Sequence, residues 1–309
     1  VATDYLKAIK EKFFGPSFPK KKVLVLEGGG MRGVFLTGVL QSFSDRGYFP
    51  WKMVIGSSSG AMIGVSYASN QIHIARDAYF DKLLKGNFIQ LRNILKQKRH
   101  IINIDWFVDS VMEGDEAIDV KKLRKKCPVL ITVTDCREYR PPETVYLNSK
   151  YDDVRISLKA TAAIPYLYRG FVNYKNLNLL DGGVLDPVPY RKALSMGFKE
   201  KDILVVLTRE KGYRKKKESF WIKALYENYY RDREYHPLVA ALENRYLKYN
   251  SILDDLEEKH TGIDVIYPPH EFKVDRLTKD EKRILDGFEF GIRAGIDFLK
   301  SKTWKKTAE

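Results

Sequence analysis

The chain of 309 residues has only two cysteines and five histidines. It has no run of about 18 or more apolar residues, which excludes a helix spanning a bilayer. Cys127 and Cys136 lie nine positions apart, outside any C-x-x-C pair or histidine cluster. No structural zinc pattern is present, and two reduced core thiols in a cytoplasmic protein are expected. Val1 to Phe14 carries Asp4, Lys7, Lys10, Glu11 and Lys12 and lacks an apolar segment, so no secretory signal is expected within it. Internal repeats and low-complexity linkers are also missing.

What the chain does have is positive charge and a core. Lys and Arg number 54 against 40 Asp and Glu, a formal net charge of +14, while 44% of residues are apolar and 13% aromatic. That composition describes a packed globular protein rather than a disordered one. Basic runs stand at Lys20 to Lys22, Lys96 to Arg99, Lys121 to Lys126, Arg214 to Lys217 and Lys302 to Lys306. Such runs are most often solvated faces, but an excess of this size attracts anionic lipid surfaces. With no nucleic-acid motif beside it, peripheral contact with an anionic membrane is expected and nucleic acid is not.

Short apolar runs at Val23 to Leu26, Met53 to Ile55, Val129 to Val133, Leu177 to Leu180, Ile203 to Leu207 and Val265 to Tyr267 read as strands covered on both faces. Helical patterns separate them. Phe35, Leu36, Val39, Leu40 and Phe43 form one apolar stripe, closed by Gly47, and Ala61, Met62 and Val65 begin another. The fold class that follows is α/β, a three-layer α/β/α arrangement with a mostly parallel central sheet. From Ser219 to about Lys259 the chain is helical and aromatic, divided by Pro237. A last helix opens with Thr278 and Glu281 at capping-box spacing, and its stripe is Leu285, Phe288, Ile292, Ile296 and Leu299. Residues 1–21 are taken as an N-terminal segment, 22–208 as the core, and 209–309 as a helical C-terminal extension packed on the same domain.

Two glycine motifs follow the first two strands. EGGGMRG, Glu27 to Gly33, satisfies G-x-G-x-x-G with Gly28, Gly30 and Gly33. A dinucleotide turn would also need an acid at the end of the second strand, where Gly56 and Ser57 stand instead. That second strand runs into Gly56, Ser57, Ser58, Ser59 and Gly60, a G-x-S-x-G centred on Ser58. Strand before and helix after are what a nucleophile elbow requires, since flanking glycines permit the sharp turn that exposes the hydroxyl. A serine-rich helix start capped by Ser57 or Ser59 is the plainer reading.

A serine needs a base. None of the five histidines, His73, His100, His236, His260 and His270, stands in a glycine-rich or strand-end setting, although a triad using His236 or His270 stays open. Asp181 does stand in one, directly after Leu177 to Leu180 and before Gly182 and Gly183. Carboxyl ends of strands are where sites form in open α/β sheets, so Ser58 and Asp181 are candidates to meet there. By itself Asp-Gly is also an ordinary turn pair.

Taken in order, EGGGMRG, GSSSGA and DGG resemble the patatin-like phospholipase family. The segment Ala160 to Tyr168 is similar to that family's proline stretch between its last two motifs, and Tyr267 to Gly295 is similar to the tail of a bacterial subgroup. The resemblance covers about Lys22 to Thr208. It implies Ser58 as nucleophile, Asp181 as its only protein base, Gly29 and Gly30 as oxyanion donors, and Gly28, Arg32, Gly33, Gly56, Gly60, Gly182 and Gly183 as supporting motif residues. It implies a serine acyl hydrolase of phospholipase A or lysophospholipase type, acting on phospholipid or lysophospholipid with no metal or organic cofactor. Glu27 departs from the aspartate that commonly opens the glycine motif. The alternative is a catalytically silent relative that docks on anionic membranes.

Overall fold

The computed structural model describes residues 18–84, 88–90, 93, 100–230 and 235–304, with side chains up to 301. The runs Lys96 to Arg99 and Lys302 to Lys306, and the N-terminal segment before residue 18, lie outside the side chains described.

Eight strands form one sheet: β1 (Val23–Leu26), β2 (Met53–Ser57), β3 (Val129–Asp135), β4 (Glu143–Asn148), β5 (Val172–Tyr174), β6 (Leu177–Asp181), β7 (Ile203–Val206) and β8 (Asp264–Ile266). The helices are α1 (Val34–Asp45), α2 (Ser59–Ala68), α3 (Ile72–Asp77), α4 (Ile104–Met112), α5 (Val120–Lys125), α6 (Val154–Ala162), α7 (Tyr190–Ser195), α8 (Phe220–Tyr230), α9 (His236–Asp254) and α10 (Glu281–Trp304). Five strands, β3, β2, β1, β7 and β8, pair in parallel; β4 and β6 pair antiparallel to β3, and β5 pairs antiparallel to β6 and so runs in the direction of β3. Alternation along β1 separates two cores. Leu24 and Leu26 pack with α1, α2 and α6 on one face, and Val23 and Val25 pack with α7 and the end of α9 on the other. The result is a three-layer α/β/α fold with a mostly parallel central sheet. Among the described residues no helix is long and apolar enough to cross a membrane.

The sheet brings β2 and β6 end to end. On β3, Leu130 to Thr132 pair with β4 on one edge and with β2 on the other, ending at Ser57 opposite Thr132. Val133 to Asp135 pair with β4 and with β6, whose last residue Asp181 lies opposite Val133. Both β2 and β6 therefore occupy the same edge of β3 from opposite directions. Asp181 reaches the site on an antiparallel strand rather than at the carboxyl end of a parallel one, a correction to the sequence reading.

The last helix also differs from its expected stripe. Leu285 is 47% exposed, and Ile284 is buried in its place. The buried face of α10 is centred on Gly287, Gly291 and Gly295; Gly291 and Gly295 lie against the backbone of α1, and Gly287 against the side chains of Phe272, Val274 and Val34. A Cβ at Gly291 would fall on the Phe35 carbonyl, and one at Gly38 on the Phe288 carbonyl. The cap is Asp280, whose Oδ1 accepts from the Arg283 N–H at 3.0 Å, while Thr278 Oγ1 accepts from the Asp275 N–H in the preceding turn. In an isolated helix Gly291→Ala gains about 1 kcal/mol. Here it is expected to lower stability by about 1–3 kcal/mol through overpacking, read from denaturant unfolding.

Candidate active site

Ser58 occupies the turn between β2 and α2 with φ +52° and ψ −130°, a conformation that a non-glycine residue holds only when its surroundings enforce it. Thr161 on α6 does the enforcing: its hydroxyl accepts from the Ser58 N–H at 2.8 Å and donates to the Thr132 carbonyl at 2.6 Å. Neither Ser57 nor Ser59 caps α2. Space is tight around the turn, because a Cβ on Gly28, Gly56, Gly60 or Gly182 would come within 3 Å of neighbouring backbone.

Across the gap between strand ends, the Ser58 hydroxyl donates to Asp181 Oδ2 at 2.8 Å. The other oxygen, Oδ1, accepts from the Gly183 N–H at 2.6 Å, and the backbone is held by Ala163 and by the Thr134 hydroxyl. Asp181 is 6% exposed. Burial pushes its carboxyl above the ordinary aspartate range, opposed by the Ser58 and Gly183 hydrogen bonds and by the fields of Arg276 and Arg245. No histidine among the described residues lines the cavities that meet at Ser58. His260 and His270 are held by Glu200 and Glu210, and His100 stacks on Tyr168.

The glycine loop between β1 and α1 lies beside Ser58. Gly30 has φ +59° and sits under Arg276, so a side chain there would be strained and blocked. Its N–H has no acceptor among the described residues, whereas the Gly29 N–H donates to Ser59 Oγ at 2.9 Å. Tyr79, in the turn continuing α3, donates to the Gly30 carbonyl at 2.9 Å, and its ring hydroxyl fills the space a Cβ on Gly33 would need. Beneath the loop, the Glu27 carboxylate accepts from the Thr208 N–H, from the Thr208 hydroxyl at 2.9 Å and from the Tyr249 hydroxyl at 2.7 Å. Arg32 is buried beside it, donating to Thr208 Oγ1 at 3.3 Å, and burial lowers its pKa to about 10. Glu27 thus anchors β1 to β7 and α9 and makes no hydrogen bond to the glycine loop itself.

Two cavities meet at this point, sharing Gly30, Ser58, Ile164 and Arg276. One is apolar, walled by Met62, Ile63, Phe107 and Leu158 among others. The other is polar and carries Arg32, Arg209, Lys215, Arg245 and Arg276. A hydroxyl aimed at a buried carboxylate, at the mouth of a greasy channel, can attack an ester whose chain lies in that channel. Sequence reasoning did not assign Thr161, Tyr79, Tyr249, Arg209, Arg245 or Arg276 to the site, and it gave Lys215 only as part of a basic run.

Comparison with known proteins identifies the family and the fold. The model of the family described as patatin-like phospholipase matches residues 24–194, more than half of the chain, and that of a domain of unknown function, DUF6363, matches residues 235–303. The uncharacterized protein YjjU of Escherichia coli (strain K12) is 25% identical over 291 residues, covering 92% of this chain and 78% of its own. Probable lipid hydrolase 463L of Invertebrate iridescent virus 6 is 26% identical over 234 residues, 72% of each chain. The crystal structure of VipD from Legionella pneumophila shares the fold, with a TM-score of 0.50 at 14% identity, over 92% of this chain and 67% of that one.

Proposed function

The chain belongs to the patatin-like phospholipase family of lipid acyl hydrolases, and we propose that it cleaves fatty-acyl esters of phospholipid or lysophospholipid through Ser58 and Asp181 alone. The observation carrying this reading is the 2.8 Å hydrogen bond from the Ser58 hydroxyl to buried Asp181 at the mouth of the apolar cavity. Ser58 Oγ attacks the ester carbonyl carbon as its proton passes to Asp181. The carbonyl oxygen gains charge and is received by the Gly30 N–H, with Gly29 held in place through Ser59. The bond to the leaving alcohol then breaks, the alcohol takes the proton from Asp181, and an acyl-serine remains. Water then attacks the acyl carbon as its proton passes to Asp181, the bond to Ser58 Oγ breaks, and Oγ takes that proton back, which releases the fatty acid and restores both groups. Desolvation makes Asp181 a stronger base than it would be in water, and fixed geometry supplies the remainder, a contribution of about 10²–10⁴ in rate. Residues 22–208 form the catalytic core in this reading, and 209–309 the extension that completes it.

Access to lipid is assigned to the start of α8. Phe220 and Trp221 are 71% and 80% exposed, three and four positions after the exposed Lys217, while Tyr226 and Tyr230 on the same helix are buried. Exposed aromatics beside cations suit the interface of an anionic bilayer. Replacing both Phe220 and Trp221 by Ser is expected to weaken co-sedimentation with phosphatidylglycerol vesicles about tenfold and to leave hydrolysis of a water-soluble ester intact. Equal sedimentation of the variant would remove this contact. The catalytic reading is tested by the loss of fatty-acid release in Ser58→Ala, set out in the Discussion.

A further inference from the structure

We infer that the C-terminal extension gives the catalytic cleft an anion-holding wall, in which Lys215, Arg245 and Arg276 receive the phosphate of a single-chain acyl glycerophosphate. This rests on the hydrolase reading above and adds the substrate's other half. The two cavities share Ser58, so an ester carbonyl placed at Ser58 sends its acyl chain into the apolar one and its alcohol into the polar one. In a glycerophosphate ester the phosphate lies only a few bonds beyond the ester oxygen. The aliphatic side chains of the polar cavity, Ile164, Pro165, Val184 and Pro187, stand beside the Tyr213 and Tyr249 rings and among five cations, so the apolar cavity is the one fitted to an acyl chain.

Charge in that cavity is unbalanced. Five cations, Arg32, Arg209, Lys215, Arg245 and Arg276, line it with two carboxylates, Glu27 and Asp181. Glu27 is engaged by Thr208 and Tyr249, and Asp181 by Ser58 and Gly183. Glu218, behind the wall, pairs closely with Arg245 and stands 3.8 Å from Lys215. Arg209 lies 3.7 Å from Asp275 and over the Tyr213 ring. The Arg276 guanidinium has no hydrogen-bond or ion-pair partner among the described residues, and burial and then Arg245 depress its pKa. Partly buried cations that outnumber the carboxylates beside them repel one another, and an incoming dianion relieves that repulsion. Planar guanidinium groups also match phosphate oxygens in pairs.

Lys215 adds a pH signature. Burial first, then Arg245 and Arg276, with Glu218 opposing and Arg32 assisting, hold its pKa down to about 7. Below that value it is charged and contributes to anion binding, and as pH rises through about 7 the contribution is lost. A bound phosphate raises that pKa and so takes up a proton on binding.

The test compares 1-oleoyl lysophosphatidate with monooleoylglycerol, which has the same acyl chain and no phosphate. Wild type is expected to prefer the phosphate ester in kcat/KM, and Arg276→Gln and Lys215→Gln each to reduce that preference about tenfold, mainly through KM. Taking a ratio cancels any effect on Asp181, because both esters use it. Removing an unpaired, repelled cation is expected to keep the thermal midpoint of Arg276→Gln at or above that of wild type. No preference in wild type, or equal loss on both esters in the variants, would overturn the subsite while leaving the hydrolase reading in place. If wild type cleaves neither ester, the hydrolase reading fails, and the wall is judged by glycerol 3-phosphate binding to Ser58→Ala in calorimetry. Binding that weakens above pH 7 and with Arg276→Gln supports it, and heat no different from buffer refutes it. Binding of inorganic phosphate equal to that of glycerol 3-phosphate, with no ester preference, also refutes it, as a site for the free ion.

Discussion

Ser58→Ala and Asp181→Asn are each expected to lower fatty-acid release by about 10⁴-fold or more, because each removes a member of a unit that acts together. Asparagine keeps the shape of Asp181 and can still accept from the Gly183 N–H, which Oδ1 now does at 2.6 Å. It cannot take the serine proton. Because the substitution is nearly isosteric and the buried carboxyl carries a desolvation penalty, the folded state of Asp181→Asn is expected to be no less stable than wild type. Loss of turnover with unchanged unfolding then separates chemistry from structure. Asp181 must be ionised to act, and burial displaces its pKa upward, so activity falls as pH drops through that raised value. The acid limb of kcat/KM is expected above the pH of an ordinary aspartate. Replacing all five histidines is expected to leave activity in place, and its abolition would favour a triad.

Glu27→Ala is expected to destabilise the fold by about 3–5 kcal/mol, the cost of breaking a buried charged network from one side. Three donors, the Thr208 N–H, the Thr208 hydroxyl and the Tyr249 hydroxyl, lose their acceptor, and Arg32 is left facing Arg209 and Arg276 without the carboxylate that favours its charge. These contacts join β1 to the end of β7 and to α9, so their loss loosens the floor under the glycine loop as well. Glu27→Asp keeps the charge on a side chain one methylene shorter. It is expected to lose less than Glu27→Ala, since it can hold Thr208 or Tyr249 but not both at their present distances. A Glu27→Ala variant within about 1 kcal/mol of wild type in denaturant unfolding would show that the network is not what anchors these strands.

The serine, the acid and the glycine loop were legible because each sits in a local pattern, strand then tight turn, that few other residues share. The direction of β6 was not, since an apolar run such as Leu177 to Leu180 looks the same whether its neighbour runs with it or against it. Thr161 is 103 residues from the amide it holds and Tyr249 is 222 from Glu27, and neither spacing leaves a periodic trace. The face of α10 was misplaced toward Leu285 because apolar counting gives no weight to Gly287, Gly291 and Gly295, which pack closest. Arg245 and Arg276 look like any solvated charges in a basic chain, and only their convergence on the cleft distinguishes them.

The central claim is that Ser58 is an activated nucleophile whose only protein base is Asp181. Intact-mass spectrometry after timed exposure to a fluorophosphonate reads it directly. The account predicts one adduct per chain, on Ser58, absent in Ser58→Ala and formed at least about a hundredfold more slowly in Asp181→Asn, in line with general-base contributions of about 10²–10⁴. An Asp181→Asn protein labelled at the wild-type rate, or a folded wild type that takes no label, would contradict it.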